Sequence, residues 1–157
     1  MTASKRPAPR DAARARQILI AGLSRDADIF GIVSELAPLH PRNDTFPGEV
    51  FLRLGAEALD RCGASRADPV ALEGIADRFL PECTLRGRDK RKLRFAVLAA
   101  AALHRGTEPD LLEEVVWWQT DDFWQCALFA AVAYLRAAAD RAGVPVRQVC
   151  QELPERG

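Results

Sequence analysis

The sequence predicts an all-α fold, a single compact bundle of six to eight helices around two central alanine-rich helices. Residues 95–103 read FAVLAAAAL and residues 127–135 read ALFAAVAYL. A helix that is apolar on every side has no face to give to water, so both runs belong inside. Each is too short to cross a bilayer, which takes ~20 residues. The remaining segments carry helical spacing broken by Gly and Pro, with no strand-like alternation of useful length and no internal repeat.

The elements follow in order. Residues 1–10 hold Lys5, Arg6, Pro7, Pro9 and Arg10 and nothing to bury, so they read as a disordered basic tail before one helical domain over residues 11–157. A first helix is expected from the cap Asp11 to Leu23, with Gly22 and Ser24 as an early break. Ile29, Ile32, Val33 and Leu36 give an i, i+3, i+4, i+7 pattern that ends at Pro38 and Pro41. The segment PLHPRNDTFPG is a loop. Val50, Phe51, Leu54, Ala58, Leu59 and Cys62 mark the next helix, closed by Gly63. Asp68 before Pro69 is an N-cap with proline at the first helical position. That helix turns Leu72, Ile75, Ala76, Phe79 and Leu80 inward and stops at Pro81. The polar segment CTLRGRDKRKLR leads into the first apolar helix, which ends at Gly106. A short helix follows with Leu111, Leu112, Val115 and Val116. Thr120 starts the second apolar helix, Gly143 ends it, and Pro145 opens a last short helix with Val146, Val149 and Leu153.

Composition narrows the function classes. In a chain of 157 residues, 48% are hydrophobic, enough for a core. The 22 basic and 22 acidic residues cancel, so the whole molecule has no net attraction to nucleic acid or anionic lipid. Arginine supplies 19 of the basic residues and alanine supplies 27 positions, a bias that a GC-rich bacterial genome produces. No apolar stretch of signal-peptide length follows the basic N-terminus, which points to the cytoplasm. Cys62, Cys83, Cys126 and Cys150 are widely spaced and form no CxxC pair. In a reducing compartment they read as free buried thiols. The sequence has no HExxH, GxSxG or GxxxxGK[ST] and no Glu-x-x-His of bundle metal sites, so no catalytic, cofactor or metal residue is nominated.

Charge is neutral in sum but segregated. Arg86, Arg88, Lys90, Arg91, Lys92 and Arg94 crowd nine positions against Asp89 alone. Glu108, Asp110, Glu113, Glu114, Asp121 and Asp122 follow with no basic residue among them. This is either a phosphate-binding patch beside an acidic partner-binding surface, or a set of helix caps that pair within the fold. The expectation is that at least two of the basic residues are paired internally. All three tryptophans lie in WWQTDDFW. Trp117 and Trp118 point about 100° apart on a helix; either one is a surface anchor for a partner or both wedge between helices. The expected partner surface is Glu113, Glu114, Trp117, Trp118, Asp121 and Asp122.

Residues 138–153, AADRAGVPVRQVCQEL, resemble the helix-turn-helix of repressor headpieces at Ala139, Ala142, Gly143, Val144 and Val149. The resemblance is to packing positions and implies a helical corner; read as DNA recognition, it would present Arg147, Gln148 and Gln151. More broadly, the C-terminal third resembles small helical actinomycete proteins with no assigned activity. The leading expectation is a non-enzymatic cytoplasmic interaction or regulatory domain with a protein partner. The rivals are a nucleic-acid binder using residues 86–94 with Arg147 and Gln148, and an enzyme or small-ligand binder with a pocket between helices.

Overall fold

A computed structural model of the chain describes residues 9–39, 48–64, 66–83, 86–106 and 123–153. Seven α-helices account for most of them and no strand occurs among them. They are α1 (Pro9–Ser24), α2 (Ile29–Leu36), α3 (Gly48–Leu59), α4 (Pro69–Phe79), α5 (Gly87–His104), α6 (Phe123–Ala142) and α7 (Val146–Glu152). A 3-10 turn, Ala37–Leu39, extends α2.

The second apolar run is the axis of the bundle. Every residue from 127 to 135 is buried, and α6 packs against α3, α4, α5 and α7. Side chains of leucine size contribute ~1.5–3 kcal/mol each when fully buried, so Leu128 and Leu135 alone are a large fraction of net stability. The first run is less enclosed than its composition suggests. Ala96, Val97, Ala99, Ala100 and Ala101 are buried, while Phe95, Leu98, Ala102 and Leu103 keep partly exposed edges. The expectation that Ala102 and Leu103 are nearly fully buried therefore fails, because α5 meets α3, α4 and α6 without being surrounded as α6 is. The two helices do touch: the Tyr134 hydroxyl donates to the Val97 carbonyl at 2.7 Å.

Close approach depends on small residues. A Cβ at Gly55 would lie 3.3 Å from both Ala100 Cβ and Tyr134 Cδ2, so the absence of a side chain lets α3, α5 and α6 meet. Gly22 works likewise. It does not break α1, which continues to Ser24; its bare Cα accommodates the Ile32 side chain, 2.6 Å from where a Cβ would stand. The chain turns instead at Asp26, which takes a left-handed φ of 54°. There the Ala27 amide donates to the Gly22 carbonyl at 2.8 Å, a Schellman closure.

Local capping follows the sequence at α4, where the Asp68 side chain accepts from the Ala71 amide at 2.9 Å and Pro69 opens the helix. Asp28 caps α2 by accepting from Phe30 N, a signal the apolar spacing had overshadowed. Helix α1 starts at Pro9, two residues ahead of the expected cap Asp11. The basic residues before the first apolar run are not a polar lead-in but the first two turns of α5 itself.

Ion pairs tie the periphery. Arg16 of α1 meets Glu57 of α3 at 2.8 Å, and Arg61 meets Glu152 at 2.7 Å. Arg136 of α6 holds both Glu82 carboxylate oxygens, at 2.7 and 3.0 Å, and donates to the Phe79 carbonyl at the end of α4. No described helix is long and apolar enough to cross a membrane.

Candidate interaction groove between two helices

Helices α4 and α5 are joined by a short connection, so the chain doubles back and residues equidistant from the turn face each other. Glu73 thereby meets Arg94, whose Nε contacts Glu73 Oε1. Asp77 and Lys90 line one groove between the helices. Two overlapping depressions there, of about 360 and 490 Å³, share Ala76, Asp77, Gly87, Lys90 and Leu93.

The floor is apolar. Ala76 of α4, its C-cap Leu80 and Leu93 of α5 are buried members of the core that reach the groove. Its walls are charged: four cations, Arg86, Lys90, Arg91 and Arg94, against two carboxylates, Glu73 and Asp77. The Arg94–Glu73 pair cancels one charge of each sign. Arg86, Lys90 and Arg91 are exposed and have no acidic partner among the described residues, which leaves the groove positive.

The basic run is thus divided by helical geometry. Lys92 points the other way and is only 4% exposed, so it belongs to the packed interior and not to a free cationic patch. Arg94 is paired with Glu73 on the preceding helix. The short α4–α5 connection sets Glu73 and Asp77 opposite the first two turns of α5. The backbone of Arg88 belongs to the first turn of that helix.

Glu113, Glu114, Trp117, Trp118, Asp121 and Asp122, the expected partner surface, lie outside the described residues. At the end of α5, His104 Nε2 lies 3.1 Å from Asp60 Oδ1, beyond the end of α3. Arg147 and Gln148 are exposed on α7, which packs on α1 and α6, whereas the basic run lies on α5. The α6–α7 corner is made by Gly143 at φ 69°, with the Val144 amide donating to the Ala139 carbonyl at 3.1 Å. On the outer face of α7, Gln148 donates to Glu152, which also holds Arg61. A polyanion there would meet a carboxylate already engaged.

The groove holds little that could do chemistry. Cys83 lines it, but burial pushes that thiol up to about 11, so it is protonated at neutral pH and a poor nucleophile. Burial likewise raises Cys62, and raises Cys150 to about 11. All four cysteines are free thiols, with Cys126 and Cys150 buried. Among the described residues no group of His, Cys, Asp and Glu is arranged to hold a metal ion.

Comparison of the chain with family models, with curated proteins and with solved structures yields no match.

Proposed function

We propose that this protein is a non-enzymatic interaction domain of the cytoplasm that binds a protein partner in the groove between α4 and α5. The observation that carries this reading is the composition of the groove: a buried apolar floor flanked by exposed cations that have no acidic partner among the described residues. Apolar contact area gives a partner affinity, and rim charges select it and speed encounter. Catalysis needs groups of shifted reactivity converging on one point; here the nearby thiol is displaced away from reactivity.

The test compares two baits in extracts of the native host, the wild-type chain and the Lys90→Glu, Arg91→Glu double variant. The expected result is a host protein retained by the first and lost by the second, then reproduced with purified components. Equal capture by both baits would place the interaction elsewhere. Nuclease-sensitive capture would favour the nucleic-acid reading instead.

A further inference from the structure

Resting on the reading of the groove as an interaction site, we propose that its occupant is an acidic amphipathic segment of a partner protein. Its carboxylates meet Arg86, Lys90 and Arg91, and its apolar side chains cover Ala76, Leu80 and Leu93. The argument is one of complementarity. With the Arg94–Glu73 pair set aside, three cations face one carboxylate, Asp77. A cationic or neutral segment leaves those charges unanswered. A bare polyanion such as nucleic acid leaves the apolar floor uncovered and brings phosphates against Asp77 and Glu73. A segment carrying both acids and apolar residues matches floor and walls together. From Glu73 to Leu80 the groove follows about 10 Å of helix, the span of two turns of a docked helix.

The Arg94–Glu73 contact is the selectivity element of this surface. Arg94 is 61% exposed, whereas Glu73 is 28% exposed and its contacting Oε1 is buried, so Arg94 stays with Glu73 and the groove presents one free cation fewer than it would without that carboxylate. Glu73 is in effect a resident competitor. Its removal tightens binding of an acidic ligand, an outcome that loss of folding cannot imitate.

The experiment uses the full chain and fluorescent peptides about four turns long that share one i, i+3, i+4, i+7 apolar pattern. Their remaining positions are all Glu, all Gln or all Lys. A poly-Glu peptide without apolar residues and a mixed-sequence DNA oligonucleotide complete the set. Fluorescence anisotropy is expected to show the Glu amphipathic peptide binding at least about tenfold tighter than every other probe. Glu73→Gln should strengthen that binding roughly threefold or more, and Lys90→Glu with Arg91→Glu should abolish it with the helical circular dichroism unchanged. The proposal is overturned if the Gln or Lys peptide binds as well, if poly-Glu or DNA binds as well, if Glu73→Gln has no effect, or if no peptide binds at roughly 100 µM. In each of those cases the host partner lost on charge reversal would still stand, so failure of the acidic occupant is separable from failure of the interaction site.

Discussion

Tyr134 of α6 donates its hydroxyl to the Val97 carbonyl of α5 at 2.7 Å, across the middle of the helix pair that organises the core. The side chain is fully buried, and desolvation pushes its ionisation well above the usual tyrosine range. The phenol therefore stays a donor. An alanine-rich interface offers few side-chain features to fix how far one helix slides along the other, and this bond supplies one.

Tyr134→Phe should keep the fold and lower its stability by ~1 kcal/mol, the net worth of one neutral hydrogen bond. Urea unfolding followed by circular dichroism is the check. A midpoint equal to wild type would mean the bond adds nothing beyond packing of the ring.

The crossing at Gly55 predicts a graded response. A Cβ there would stand 3.3 Å from Ala100 Cβ and Tyr134 Cδ2 and 3.5 Å from Ala131 Cα. Gly55→Ala should be close to neutral, since tight contact offsets the ~0.5–1 kcal/mol that alanine gains within a helix. Gly55→Val and Ala131→Leu should each overpack and cost ~1–3 kcal/mol in thermal or urea unfolding. A fully tolerated Ala131→Leu would contradict the close approach of α3 and α6.

Arg136 and Glu82 give a pH-dependent link between α6 and the end of α4. The guanidinium hydrogen bonds hold the Glu82 carboxyl below its ordinary value of 4.5, against a smaller opposing effect of burial. A carboxyl depressed in the folded state contributes stability above its unfolded value, and that contribution is lost as pH falls through the folded one. Glu82→Gln should therefore lower the melting temperature at pH 7 and make progressively less difference below pH 4.5. Arg136→Ala should cost more, ~1.5–3 kcal/mol, because it also removes the donor to the Phe79 carbonyl.

The architecture was legible in the sequence where residue chemistry acts locally. Asp68–Pro69 capped α4, the pattern from Ile29 to Leu36 set α2, and the run around Ala131 marked the buried axis. The candidate site was less legible because it depends on which helix lies beside which. Residues 86–94 read as one basic block, yet the helical rotation of about 100° per residue turns Lys92 inward and leaves its neighbours Lys90 and Arg91 outward. The acids beside them among the described residues, Glu73 and Asp77, sit in α4, placed there by a short connection and not by any motif. Gly22 misled for the same reason: it resembles a breaker in one dimension and serves as a contact point in three.

The thiols should be slow to react in the native protein. Cys83 and Cys150 are raised to about 11 by burial, and Cys62 is raised as well; thiolate is the reactive form, so little is present at pH 7. Iodoacetamide should label these three slowly at pH 7 under native conditions, while all four cysteines react in denaturant. Rapid native labelling of Cys83 at pH 7 would show an activated thiol in the groove and revive an enzymatic reading.

Charge reversal within the basic run separates its structural member from its surface members. Lys92 is 4% exposed, whereas Lys90 and Arg91 stand in solvent on the groove side of the same helix. Reversing a charge at a buried position leaves the new group and its former surroundings mismatched in a low dielectric, so Lys92→Glu should cost roughly 3 kcal/mol or more. Lys90→Glu and Arg91→Glu should each stay within ~0.5 kcal/mol of wild type, the usual range for exposed substitutions. Thermal unfolding of the three variants side by side decides the matter. Equal, small effects at all three positions would mean the whole run lies on the surface, and its six cations would then have to be read together as one patch.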